Sequence, residues 1–267
     1  MFDKINFFEH KINISEFITG NSFIDIADSC DAVFCKTDYI SIYKNNKIKV
    51  FITHNSDFHI TSEVINNGPN FSYWFAQNKD TINNKVFSIP IGLENTMLRT
   101  SLKSNNGIFS SQVNGALQKT LLIDKINSYD IEKNKLVYLN FNPNTFPQER
   151  NYVLNKFSNE KWVTHTKDLS IQNLYFDIAQ HKFVFSPRGN GVDCHRTWEA
   201  LYLRTIPIVK KSIHMNEFSD LPIYFVDNWD EITEDNLNEF YSKNRNKLFN
   251  LEKLHYSYWK NRILNKC

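Results

Sequence analysis

The hydrophobic positions of this chain fall into short runs rich in β-branched and aromatic residues, separated by polar stretches with helical spacing. That alternation predicts βαβ units built around parallel sheets. In a first series, 49–53, 71–75 and 86–91 read as buried strands. Each ends in polar or Gly-containing residues, which makes 53–57, 76–78 and 92–95 loops at strand ends, where open α/β sheets hold their ligands. A second series is cleaner, with strands at 135–141, 161–165, 182–186, 206–210 and 222–226 and helices at 149–157, 171–180 and 196–203. Between the two, 97–118 is rich in Ser, Asn and Gly and reads as a loop leading into a helix. The last segment carries Leu254, Tyr258, Trp259 and Ile263 on one helical stripe. It is expected to leave the second series and pack back on the first.

The expected architecture is therefore α/β, with two Rossmann-like domains facing each other across a cleft. Residues 1–130 form the first, 131–250 the second, and 251–267 the returning helix. A chain of 267 residues with 41% apolar content can bury such cores. Its 31 basic and 29 acidic residues leave a net charge of +2, so no global field draws it to nucleic acid or an anionic membrane. Any anion must be held by a local cluster. The N-terminal residues carry charges through every apolar stretch, and no run approaches membrane-spanning length, which excludes an integral membrane segment from the expectation. Cys30, Cys35, Cys194 and Cys267 show neither a CxxC pair nor zinc-site spacing, so reduced thiols and a cytoplasmic protein are expected.

Segment 183–199, Phe-Val-Phe-Ser-Pro-Arg-Gly-Asn-Gly-Val-Asp-Cys-His-Arg-Thr-Trp-Glu, carries the candidate chemistry. A buried strand runs into a loop with Gly189 and Gly191 and then into a helix, which turns backbone N–H groups and a helix N-terminus toward an incoming anion. Arg188 and Arg196 add fixed positive charge suited to a pyrophosphate. Glu199, one turn after Arg196, is placed to accept from two ribose hydroxyls. No Gly-Lys-Ser/Thr follows, so this is not a Walker loop, and no G-x-G-x-x-G opens a helix, which disfavours a dinucleotide oxidoreductase.

These residues resemble the exostosin family of glycosyltransferases. The resemblance rests on Ser186-Pro187-Arg188-Gly189, Arg196, Glu199-Ala200-Leu201 and Ile206-Pro207-Ile208-Val209, in that order, over about the last half of the chain. Arg204 stands where that family usually has Gly, and the membrane anchor of its animal members is missing. The resemblance implies a GT-B fold, a nucleotide-sugar donor, a glycan acceptor and inversion. The expected donor-binding set is Arg150, Arg188, Gly189, Asn190, Gly191, Asp193, His195, Arg196 and Glu199.

No hydrophobic-flanked Asp-x-Asp occurs, so arginines and a helix dipole are expected to stabilise the leaving group, with no metal and no cofactor. Inversion requires a base near the acceptor hydroxyl. His54 and Asp57, at one strand end, and Glu94, at another, are the candidates. A nucleotide- or carbohydrate-binding module without a competent base is the alternative.

Overall fold

Buried runs such as Val50-Phe51-Ile52 and Phe183-Val184-Phe185 set the strands, and the computed structural model arranges them in two parallel sheets. It describes residues 5–94, 115–167 and 169–267. A short β1 (Ile5–Asn6) leads to α1 (Gly20–Asp28), followed by β2 (Ala32–Lys36), β3 (Lys47–His54), α2 (Ser62–Asn66), β4 (Asn70–Ala76) and β5 (Val86–Ser88). Strands β2 to β5 pair in sequence order as a four-stranded parallel sheet. β2 and α1 go beyond the strands expected for this half. The strand expected over 86–91 stops at Ser88, although Ile89 still donates its N–H to Ala76. Of the loop and helix expected over 97–118, residues 97–114 lie outside the described residues, and 115–118 open a helix.

The second half begins with α3 (Gly115–Asn127) and β6 (Lys135–Leu139). It continues through α4 (Pro147–Phe157), β7 (Val163–His165), α5 (Ile171–Gln180), β8 (His181–Phe185), α6 (His195–Tyr202), β9 (Ile206–Lys210), α7 (Ile213–Asn216) and β10 (Tyr224–Val226). Pro147 opens α4 at a position where no N–H is needed, and Ser170 caps α5 by accepting from Asn173 N–H. The sheet order is β10-β9-β8-β6-β7. Strand order therefore reverses between β6 and β8, and in open parallel sheets ligands bind at the carboxyl ends of the strands beside such a reversal. One hydrophobic cluster runs through both sheets, from Val50 and Phe75 to Val137 and Phe183.

After α8 (Glu234–Asn244), β11 (Leu248–Phe249) pairs antiparallel with β1. The final helix, α9 (Tyr256–Leu264), begins on the first half: Glu16 accepts from Ser257 N–H, Trp259 meets Phe23, and Arg262 lies over the Phe87 ring. Cys30 and Cys267 are joined in a disulfide with Cα atoms 6.1 Å apart, a normal span for the bond. This corrects the expectation of four reduced thiols. The pair is 237 residues apart in the chain, so no local spacing announced it. Among the described residues, no helix is long and apolar enough to cross a membrane.

Arg204 follows α6 in the left-handed region, with φ +59°, which is the conformation that makes glycine common after a helix. Its guanidinium donates to Phe8 O at 3.4 Å and to Asn127 O at 3.3 Å, tying the turn after β1 and the end of α3 to this corner. Arg204→Ala should lose these bonds without relieving the backbone, whereas Arg204→Gly relieves it. The glycine variant should be the more stable of the two by about 1 kcal/mol in denaturant titrations. An alanine variant as stable as the glycine variant would contradict the account.

Candidate functional site

The loop after β8 and the helix α6 that follows it sit at the strand-order reversal, and their shape is set from both halves. Gly191 lies so close to Asn78 that an added Cβ would come within 2.6 Å of the amide nitrogen. Asn78 itself takes φ +56°, donates to Ser56 O at 2.9 Å and accepts from Asp193 N–H at 3.0 Å. Asparagine tolerates this region better than most residues, which suits it to the end of β4. Gly191 is thus required by a close approach rather than by a positive φ.

Asp193 was expected to face a donor and instead points into the protein. Its buried carboxylate accepts from Ile91 N–H (2.8 Å), Cys194 N–H (2.8 Å) and Trp198 Nε1 (2.9 Å). His214 completes the set: its Nδ1 accepts from Lys79 N–H at 3.3 Å, so the proton on Nε2 faces Asp193 at 3.4 Å. His195, half-buried, is held by the first half, with Nδ1 2.8 Å from Gly92 O and Nε2 3.9 Å from Glu94. Sequence spacing could not foresee this, because Ile91 is 102 positions from Asp193.

Three arginines lie near the carboxyl ends of β6 and β8, two of them over one ring. Arg150, from α4, is buried and donates to Arg188 O at 2.8 Å and Asn142 O at 2.9 Å. Its guanidinium carbon and that of Arg196 stand 5.6 and 5.7 Å from the centroid of the same Phe141 ring. Burial first, and then the like charge of Arg196, pull the Arg150 pKa down to about 10. Arg196 has no ion pair with a described residue. Arg188 rests on the Phe146 ring and donates to Asn190 O at 2.8 Å and Gly189 O at 3.3 Å. Cationic groups gathered in a partly desolvated corner favour an anion that would relieve them.

The candidate bases are placed unequally. His54 is fully buried, stacked on Phe23, with Nε2 2.9 Å from Pro90 O and Nδ1 2.7 Å from the Asn55 amide. Burial pushes its pKa down, and both ring nitrogens are occupied, so it cannot meet an acceptor hydroxyl. Glu94 is buried against Lys119 at 3.3 Å. Asp57 is exposed and accepts from Asn190 Nδ2 at 3.3 Å, which brings it to the arginine loop. A fourth group, absent from the expected set, lies beside it: His59 has Nε2 2.8 Å from Arg188 and Nδ1 3.1 Å from Asp80. Neither His59 nor Asp80 belongs to a motif, and only the fold brings them together.

Glu199 also departs from its expected openness. Its Oε1 accepts from both Lys119 Nζ and Tyr175 Oη, each at 2.8 Å, and the residue is buried. Burial alone would raise its pKa, but Lys119 outweighs that and holds it below the usual carboxylate value. Lys119 in turn is held above its ordinary value because Glu199 and Glu94 outweigh its own burial. Among the described residues, no group of three His, Cys, Asp or Glu side chains is placed to hold a metal ion.

Removing Lys119 would leave two carboxylates buried side by side. Lys119→Met should cost about 3–5 kcal/mol at neutral pH in denaturant titrations, and adding Glu199→Gln should return part of it. In the wild type, the depressed pKa of Glu199 makes its contribution complete above its ordinary value and lost as pH falls through the folded one. In Lys119→Met the shift reverses, so the variant should close on the wild type as the solution is acidified from pH 7. A variant as stable as the wild type at pH 7 would contradict the ion-pair account.

No family model matches the chain, and no curated protein matches it. Among solved structures, it is similar to that of UDP-GlcNAc 2-epimerase from Methanocaldococcus jannaschii, with 13% identity over 91% of this chain and 80% of the other, at a TM-score of 0.33.

Proposed function

We propose that this chain is an inverting glycosyltransferase that moves a sugar from a nucleoside diphosphate sugar to a glycan acceptor, with arginines in place of a metal ion at the leaving group. The observation that carries the reading is the convergence of Arg150, Arg188 and Arg196 beside the strand-order reversal between β6 and β8. A buried Arg150 beside the like charge of Arg196, with the half-buried Arg188 on the adjoining loop, is suited to the charge that grows on a departing diphosphate. The exostosin-like residues of 186–209 support the same choice of chemistry. In this reading 131–250 holds the donor, 1–130 offers the acceptor side in a GT-B arrangement, and 251–267 ties the two together. UDP is the first donor nucleotide to test.

Within the proposed site, Arg196 meets the diphosphate, since no ion pair among the described residues competes for it. Gly189 and Asn190 supply loop backbone beside it. Asp193 and His195 act indirectly, by fixing that loop against the first sheet. Glu199 can reach a ribose only if Lys119 and Tyr175 let go, so its part is to hold α6 against α3 and α5.

UDP or GDP at ~100 times its dissociation constant should stabilise the protein by about 2.7 kcal/mol in the presence of a chelator. Arg196→Ala should remove most of that shift, and in assays of nucleotide release should lower kcat more than it raises KM, because the charge matters most as the leaving group departs. A thermal shift that appears with magnesium and vanishes in chelator would contradict the arginine-based reading. Nucleotide binding without transfer from any donor would favour a non-catalytic binding module.

A further inference from the structure

Of the three bases expected for inversion, His54 is sealed in the core, Glu94 is paired with Lys119, and Asp57 is exposed, with the Asn190 amide as its hydrogen-bond partner among the described residues. His59 has what they lack. Its position is fixed by backbone: Ile60 N–H donates to Asn78 O and Asp80 N–H to Ile60 O, both at 2.9 Å, where Ile60 and Lys79 form a parallel bridge. This sets the His59 ring opposite the Asp80 carboxylate, at 3.1 Å from Nδ1. The His59 side chain is 25% exposed, so the ring is supported and yet open to an acceptor.

The tautomer follows from its partners. Arg188 can only donate, so His59 Nε2 must accept from it, and the ring proton must then sit on Nδ1, directed at Asp80. A carboxylate on one ring nitrogen and a lone pair on the other is the arrangement of a general base. The lone pair is covered by the same arginine that stands in the proposed diphosphate site.

We propose that His59 is the catalytic base of the transfer, that Asp80 is its positioning residue, and that Arg188 covers the His59 lone pair until a diphosphate draws the guanidinium away. This rests on the reading of the chain as an inverting glycosyltransferase. In the transfer, the acceptor O–H gives its proton to His59 Nε2 while its oxygen forms the bond to the anomeric carbon. The bond from that carbon to the diphosphate oxygen breaks, and its electron pair leaves with the nucleoside diphosphate, whose added charge faces Arg188 and Arg196. Asp80 stabilises the imidazolium, which then loses its proton to solvent. The base comes from the first half of the chain and the arginines from the second.

The test measures nucleotide release and transfer with UDP-glucose, UDP-GlcNAc and GDP-mannose, alongside UDP and GDP binding, in wild type, His59→Gln and Asp80→Asn. His59→Gln should lower kcat by about 100-fold or more, with the nucleotide dissociation constant within about twofold of wild type. Asp80→Asn should lower kcat by about tenfold with KM and the nucleotide dissociation constant within about twofold of wild type, and should remove the nitrogen-15 signature of Nδ1-protonated His59; a purely structural role would leave that signature in place. Nitrogen-15 shifts should report an Nδ1-protonated His59 whose Nε2 signal changes when UDP or GDP binds. If His59→Gln keeps wild-type kcat while Arg196→Ala loses nucleotide binding, the base assignment fails and the transferase reading stands. If the wild type neither binds nor turns over any of these nucleotides, the transferase reading fails and the base assignment falls with it.

Discussion

The buried carboxylate of Asp193 is the constraint on which the rest of the site depends. Its donors come from both sheets: Ile91 N–H from the end of the first, Trp198 Nε1 and His214 from the second. A buried carboxylate is tolerated only when its lone pairs are satisfied, and each unsatisfied donor left by its loss would cost about 1–3 kcal/mol. The loop between β8 and α6 therefore has one low-energy path, with Gly191 pressed on Asn78 and Cys194 at the start of the helix. That path decides where the side chains on either side of it can go.

With Asp193 buried and His195 held on Gly92 O, Arg188 and Arg196 stay half-exposed, and Arg150 reaches the loop from α4 by binding the Arg188 carbonyl. Arg150 is strained in this position: burial first, and then the like charge of Arg196, lower its pKa. Such strain is common where a fold prepares for a charged ligand. The same loop delivers Arg188 to His59 and Asn190 to Asp57, so the strand ends of the two sheets meet through polar groups that a substrate can displace.

Much of the second sheet was legible in the sequence because its central strands, such as β8 and β9, are buried apolar runs bounded by polar turns. The strand at Ile206–Lys210 and the helix at Ile171–Gln180 fall where the pattern placed them. β2 and α1 were not legible: Ala32–Lys36 is short and only partly buried, and α1 begins on a glycine with no strong helix former in its first turn. The loop arginines stood out in the sequence because charge and loop position are local features. Asp193 and Glu199 were misread because their partners are remote in the chain; Lys119, which claims Glu199, lies 80 residues earlier. His59 carried no signal at all, since its meaning comes from Asp80, 21 residues on, and from Arg188 on the other sheet. Side-chain pairing across a fold has no period, and periodicity is what a single sequence offers.

The central claim is that a nucleoside diphosphate binds among Arg150, Arg188 and Arg196 and thereby uncovers His59. A crystal structure of the chain with UDP or GDP, grown without divalent ions, tests it most directly. The account predicts the diphosphate within hydrogen-bond distance of Arg188 and Arg196, the Arg188–His59 contact broken, and the His59–Asp80 contact kept. A nucleotide bound elsewhere, with Arg188 still seated on His59, would contradict it.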